Sequence, residues 1–109
     1  MILSSGDYMK KEIVNVIEIL DSGQLLLKLE SGGNPSYQYV YREAAGVYWD
    51  NDFKGFKSSE APREWTYADW YKHIVEVAKL GVGVELKCVQ NLQWVNVTQD
   101  TKDQILNVI

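Results

Sequence analysis

Two carboxylates, a lysine and a glycine lie between two aromatic segments, in the run Asp50-Asn51-Asp52-Phe53-Lys54-Gly55. Its carboxylates and glycine match the start of a calcium-binding loop, which needs oxygen ligands at positions one, three and five and a bidentate glutamate at position twelve. Here the fifth position is Lys54 and the twelfth is Ala61. We therefore interpret the run as a polar turn and expect no metal ion there.

The other reactive side chains form no catalytic pattern. Asp69 and His73 are four residues apart on a predicted helix, a spacing that favours a weak surface pair. One His and one Cys, Cys88, cannot complete a zinc site of four nitrogen and sulfur ligands. We find no phosphate-binding glycine loop, nucleophile elbow or paired-histidine zinc motif. We expect no cofactor, and the sequence favours a protein that is not an enzyme.

Aromatic side chains are the unusual feature, with 4 Trp, 7 Tyr and 2 Phe in 109 residues. Such side chains either fill a core or form binding surfaces, where Trp and Tyr are enriched. A helical stripe explains Tyr67 and Trp70 as core, whereas four other rings remain open between core and surface. The residues predicted to bind a partner or ligand are Trp94, Lys87, Glu85, Trp49, Asp50, Asp52, Phe53 and Phe56.

Length and charge limit the classes of partner. The chain has 11 basic and 15 acidic side chains and a net charge of −4, which predicts one acidic domain over residues 1–109. Dispersed basic residues argue against nucleic acid. There is no apolar run of about 20 residues, as a membrane span needs, and no signal peptide at Met1–Asp7. We expect a cytoplasmic protein that binds neither nucleic acid nor a membrane.

The first half of the chain predicts strands. β-branched and alternating segments at 12–20 and 24–30 flank Asp21-Ser22-Gly23, which indicates a hairpin with a three-residue loop. The alternation at 37–42 predicts a third strand and 46–49 a short fourth, which leads into a strand or loop at 50–59. In the first hairpin the predicted register pairs Ile19 with Leu25, Ile17 with Leu27 and Asn15 with Leu29, and brings Glu18 near Lys28.

The second half predicts a helix followed by a hairpin. Thr66 and Asp69 form a capping-box pattern, which predicts a helix from Tyr67 to Leu80 with Gly81 beyond its end. Strands at 82–89 and 92–97 would be joined by a turn at Gln90-Asn91. That register pairs Lys87 with Trp94 and Glu85 with Asn96, on the face away from the aliphatic core. A short helix is expected from Asp100 onward.

This order of elements, ββββαββα, predicts an α+β fold. We expect an antiparallel curved sheet of about five or six strands packed on one principal helix, with a short C-terminal helix. The alternative is a small, partly open β-barrel capped by the helix.

Two functions remain open at this point. The first is a non-enzymatic accessory protein, a homodimer that covers Trp94, the outer sheet face or the apolar C-terminal end. The second is a small-molecule binder or acid-base enzyme with an aromatic cleft. Its predicted lining is Tyr39, Tyr41, Trp49 and Phe53, with polar groups from Asp50, Asp52 or Glu18.

Overall fold

The computed structural model describes residues 10–43, 46–59 and 65–109, with the side chains of 41–43 left out. The helices are α1 (Tyr67–Val82) and α2 (Gln99–Leu106), and a 3-10 helix covers Pro35–Glu43. The strands are β1 (Lys10–Ile19), β2 (Leu25–Leu29), β3 (Val47–Asp50), β4 (Gly55–Ser58) and β5 (Val84–Val95). The segment Met1–Asp7, where the sequence predicts no signal peptide, lies outside the described residues.

The five strands form one open sheet in the order β3-β4-β2-β1-β5. The α+β class, the principal helix, the short C-terminal helix and the open sheet are confirmed. The sheet is mixed, because β5 runs parallel to β1 whereas the other neighbours are antiparallel. Parallel neighbours need a crossover connection, and α1 is the helix that leads into β5.

The first hairpin has the predicted three-residue loop. Ile19 pairs with Leu25 and Ile17 with Leu27, and the N–H of Leu20 donates to the carbonyl of Gln24 over 2.9 Å. Gly23 has the positive φ, 90°, that this loop requires. The register shifts at Asn15, so Val14 opposes Leu29 in its place. The hairpin is thus confirmed up to a β-bulge that its sequence does not reveal.

The predicted third strand at 37–42 is wrong, because these residues form the 3-10 helix. Asn34 starts it: its side-chain oxygen accepts from the N–H of Ser36 over 2.8 Å, and its carbonyl accepts from Tyr37 over 2.9 Å. Pro35 has the restricted φ that suits a first helical position. Tyr37 and Val40 are buried, and their spacing is one turn of a 3-10 helix rather than a strand alternation.

Helix α1 begins as its sequence predicts and ends later. The side chain of Thr66 accepts from the N–H of Asp69, and the Asp69 carboxylate accepts from the N–H of Thr66. Trp65 and Trp70 pack with ring centroids 4.8 Å apart, as expected for a hydrophobic staple. The helix continues to Val82 because Gly83, at φ 68°, provides the left-handed C-cap expected of Gly81.

The predicted second hairpin is also wrong, because β5 is one continuous strand. Cys88 pairs with Val14 and Gln93 with Val16, so residues 89–92 face Asn15 alone and bulge from the ladder. The chain therefore continues through Gln90-Asn91 instead of turning back. Trp94 consequently lies on the same side of β5 as Leu86, and its neighbour on β1 is Ile17.

The core lies between one face of the sheet and the layer formed by α1 and the 3-10 helix. Ile17, Leu27, Phe56 and Ile74 have no exposed surface. This layer fixes which face of each strand remains available for contacts outside the molecule.

Candidate functional site

The face of the sheet opposite α1, called the outer face below, collects the side chains that alternate with the core residues. One row of paired neighbours crosses it: Tyr48, Lys57, Leu26, Glu18 and Val95. The ends of this row are open, with Tyr48 44% and Val95 41% exposed, whereas Leu26 in its centre is fully buried. The outer face thus has a covered apolar centre at Leu26, charges of both signs and exposed rims.

The turn between β3 and β4 places a phenylalanine at this face. One carboxylate oxygen of Asp50 accepts from the N–H groups of Asp52 and Phe53, both over 2.9 Å, and the other accepts from Lys57 Nζ over 2.8 Å. Phe53 is 42% exposed, and Lys28 Nζ lies 6.0 Å from its ring centroid. The interpretation of this run as a polar turn therefore matches the hydrogen bonds of Asp50.

The environment of Asp50 holds its carboxylate ionised. Burial acts to raise its pKa, but the hydrogen bond and charge of Lys57 and the two N–H donors outweigh burial, so the pKa lies below its usual value. An acceptor occupied in this way has a structural role in the turn, and it is a poor general base.

Phe53 separates two open depressions on the outer face, of about 400 and 360 Å³. Asp52 and Lys28 line the first, and Glu18 and Lys57 line the second. The structure thus brings Phe53 together with the predicted polar groups Glu18, Asp50 and Asp52.

Two other residues of the predicted aromatic cleft, Trp49 and Tyr39, lie elsewhere. Trp49 lies on the core side of β3, and Tyr39 is on the 3-10 helix. The side chain of Tyr41 lies outside the described part of the chain.

Trp49 and Phe56, which the sequence left open between surface and core, are core residues. Their ring centroids are 5.0 Å apart, and Tyr37 lies 5.3 Å from Trp49 and 5.6 Å from Phe56. Phe56 is fully buried and Trp49 is 9% exposed. These two predicted binding residues therefore act in packing, and they cannot contact a partner without rearrangement of the core.

Trp94 does not share a face with Lys87 and Glu85, which corrects the predicted register. It is half-buried against the core, and Lys102 Nζ of α2 lies 5.6 Å from its ring centroid, in the range of a cation–π contact. The ring has this shelter because β5 continues through Gln90-Asn91 and does not turn back, which reverses the face that a hairpin would give it.

Glu85 and Lys87 lie at the edge of the sheet. They form an ion pair of 3.6 Å, with side chains 35% and 58% exposed. Among the described residues, β5 has β1 as its only neighbouring strand. The edge of β5 that faces away from β1 therefore offers backbone N–H and C=O groups as well as two side chains of opposite charge.

A buried carboxylate that the sequence analysis missed lies beneath the 3-10 helix. Glu12 is 3% exposed and accepts from Tyr37 Oη over 2.5 Å and from Ser31 Oγ over 2.6 Å. Burial first, and then the hydrogen bond and charge of Glu12, raise the pKa of Tyr37. One signal was available, since Glu12 is two residues from Val14 and so lies on the core side of β1. The cluster ties β1 to the 3-10 helix.

The remaining reactive groups have structural neighbours. Cys88 is half-buried with its sulfur 3.3 Å from Tyr71 Oη, and burial raises the pKa of the thiol although the tyrosine hydrogen bond lowers it. A raised pKa disfavours the thiolate nucleophile. His73 packs against the rings of Trp65 and Trp70, at 5.0 and 5.7 Å between centroids. Within the described ranges no helix is both long and apolar enough to cross a membrane.

Comparison with known proteins gives a family match. The family model described as Integron Cassette Protein Hfx_Cass5 matches residues 13–91. A solved structure titled "Structure from the mobile metagenome of North West Arm Sewage Outfall: Integron Cassette Protein Hfx_Cass5" is 34% identical, over 91% of this chain and 95% of that chain, with a TM-score of 0.42. No curated protein matches the chain.

Proposed function

The chain belongs to the Hfx_Cass5 family of integron cassette proteins, and we propose that it is a non-enzymatic interaction protein that works as a homodimer. The family description names no reaction and no ligand. The surfaces that the fold leaves uncovered indicate the function.

One observation carries the proposal: α1 and the 3-10 helix lie on the core face of the sheet, while the outer face presents Tyr48 and Phe53 at 44% and 42% exposure. Large exposed aromatic rings with a polar rim are typical of protein contacts. The charges include Lys57 with Asp50 and Lys87 with Glu85. A surface that carries both signs can meet a second copy of itself without a net repulsion.

The polar groups in the described regions support a role without catalysis. Glu12 accepts hydrogen bonds from two hydroxyls in the interior, and the carboxylate of Asp50 holds a turn. Cys88 contacts a tyrosine and has a raised thiol pKa. We also infer a cytoplasmic location, which the single cysteine of the chain supports because it cannot form a disulfide within the chain.

Sedimentation equilibrium of the purified chain, from low to high micromolar concentration, tests the homodimer. We expect a mass of twice 12.5 kDa at the upper end. A mass of one chain across the whole range would exclude the homodimer.

A further inference from the structure

We infer that the two copies join along the free edge of β5, antiparallel and with the twofold axis at Leu86, so that Glu85 of each copy faces Lys87 of the other. This inference rests on the proposed function for the homodimer alone, since it places the contact at the free edge of β5 and leaves Tyr48 and Phe53, at the other end of the sheet, outside it. It follows from the direction of the backbone groups, the length of the regular part of β5 and the order of its charges.

The backbone of β5 shows which residues can bond a further strand. The N–H of Lys10 on β1 donates to the carbonyl of Gly83 over 3.1 Å. Peptide groups of successive residues in a strand point to opposite sides, so Glu85 and Lys87 also direct their backbone groups to β1. The N–H and C=O groups of Val84, Leu86 and Cys88 therefore point away from β1, to the edge that carries no strand in the described part of the chain.

The bulge limits how far this edge stays regular. Val84 to Cys88 pair in step with Lys10 to Val14, and the step is lost immediately afterwards. The step resumes for only three residues, Gln93 to Val95, so the longest regular stretch that a second β5 strand can join is Val84–Cys88, and the centre of that stretch is Leu86. Full antiparallel pairing of the stretch with its own copy puts the twofold axis at this residue.

The charges select the same register. With the axis at Leu86, Glu85 faces Lys87 of the second copy twice, once on each side of the axis. A shift of the axis to residue 85 would place Glu85 opposite Glu85, and a shift to residue 87 would place Lys87 opposite Lys87. Opposite charges at facing strand positions are favourable and like charges are unfavourable.

The geometry of an antiparallel ladder favours these contacts. Val84, Leu86 and Cys88 would occupy the hydrogen-bonded positions, because their backbone groups point outward. Glu85 and Lys87 then occupy the positions without hydrogen bonds, where facing side chains lie closer together. Within one copy these two form an exposed pair of 3.6 Å, and such pairs contribute little. Replacement of this ion pair within each copy by ion pairs between the copies therefore costs little free energy.

Charge reversal at the two positions tests the register. Lys87→Glu gives copies with two glutamates at the edge, and Glu85→Lys gives copies with two lysines. We expect each variant alone to dimerise about tenfold more weakly or worse than the wild type, because both facing pairs become repulsive. An equimolar mixture of the two should regain the dimer as a heterodimer, measured by sedimentation velocity with one variant fluorescently labelled.

The matched control is Lys54→Glu, the same charge change at the turn between β3 and β4, with two further strands between β4 and β5. It should leave the dissociation constant within about twofold of the wild type, after a correction for net charge from a salt series. Circular dichroism of each variant checks that the fold is intact.

Four results would overturn the inference. Equal dimerisation of Lys87→Glu, Glu85→Lys and wild type would exclude this edge, although the homodimer itself would stand. Failure of the mixture to regain the dimer would exclude the register. A dimer that dissociates with Phe53→Lys and ignores both edge variants would assign the second copy to the outer face. A monomeric wild type would remove the proposed function as well.

Discussion

Removal of one hydroxyl, in Tyr37→Phe, tests the energetics of the buried Glu12 cluster. Glu12 is 3% exposed and has two hydroxyl donors, Tyr37 over 2.5 Å and Ser31 over 2.6 Å. The variant keeps the aromatic ring and its contacts with Trp49 and Phe56 but leaves the carboxylate with one donor fewer. We expect a loss of about 1.5–3 kcal/mol in the free energy of unfolding, the range for a hydrogen bond to a charged group.

Urea unfolding followed by tryptophan fluorescence measures this loss, and Trp49 lies close enough to Tyr37 to report on the region. The midpoint should fall while the slope with urea stays the same, because the surface exposed on unfolding hardly changes. In a thermal melt the same loss corresponds to a fall in Tm on the order of 10 °C or more.

Tyr67→Phe is the matched control. It removes a tyrosine hydroxyl that donates to the carbonyl of Gly23 over 2.9 Å, a neutral acceptor at a partly buried site. Its expected cost is about 0.5–1.5 kcal/mol. If Tyr37→Phe proves no more destabilising than this control, the carboxylate does not depend on its hydroxyl donor and the reasoning is refuted.

Three further perturbations follow from the same structure. Burial raises the pKa of Tyr37 and of Tyr71, and Glu12 and Cys88 raise it further. Both tyrosines therefore stabilise the fold below about pH 10. Stability falls above that pH because these tyrosines ionise at lower pH in the unfolded chain than in the folded one. The share of the tyrosinate absorbance that belongs to these two of the seven tyrosines should then rise only together with the loss of circular dichroism, and ionisation of all seven in a folded protein would contradict this. Asp50→Asn should cost about 1–2 kcal/mol at neutral pH. Because the Asp50 pKa is lowered, that difference should vanish in urea melts as the pH falls below about 4, and a gap independent of pH would argue against it. Gly55→Ala would place a Cβ 2.4 Å from the carbonyl oxygen of Leu27; a loss of about 1–3 kcal/mol is expected from forcing β4 away from β2, and an unchanged melting temperature would show that the strands can separate freely.

Elements with local signals could be predicted from the sequence. The loop at Asp21-Ser22-Gly23 and the capping box of Thr66 with Asp69 each involve residues within a few positions, and both form as expected. The alternating tyrosines at 37–41 favour a strand when the sequence is taken alone. The Asn34-Pro35 start, which begins the 3-10 helix, is a weaker sequence signal than this alternation.

The errors in β5 come from pairing between distant residues. Gln90-Asn91 has a composition suited to a turn, but β5 pairs with β1, more than sixty positions earlier in the chain. No local pattern encodes that choice. The exposed position predicted for Trp94 is wrong because it depended on the hairpin. The polar turn around Asp50, Asp52 and Phe53 depends on neighbouring residues only, and that prediction is confirmed. A partner role for Glu85 and Lys87 stays a prediction.

The parallel pairing of β1 with β5 has a consequence during synthesis. β1 is made early, but its neighbour on one side is made only after α1, so the sheet cannot be completed until Val95 has left the ribosome. Until then the nascent β1–β2 hairpin has an open flank and an uncovered row of leucines. Contacts this distant in sequence slow folding, so the growing chain exposes this apolar surface until α1 and β5 have been made.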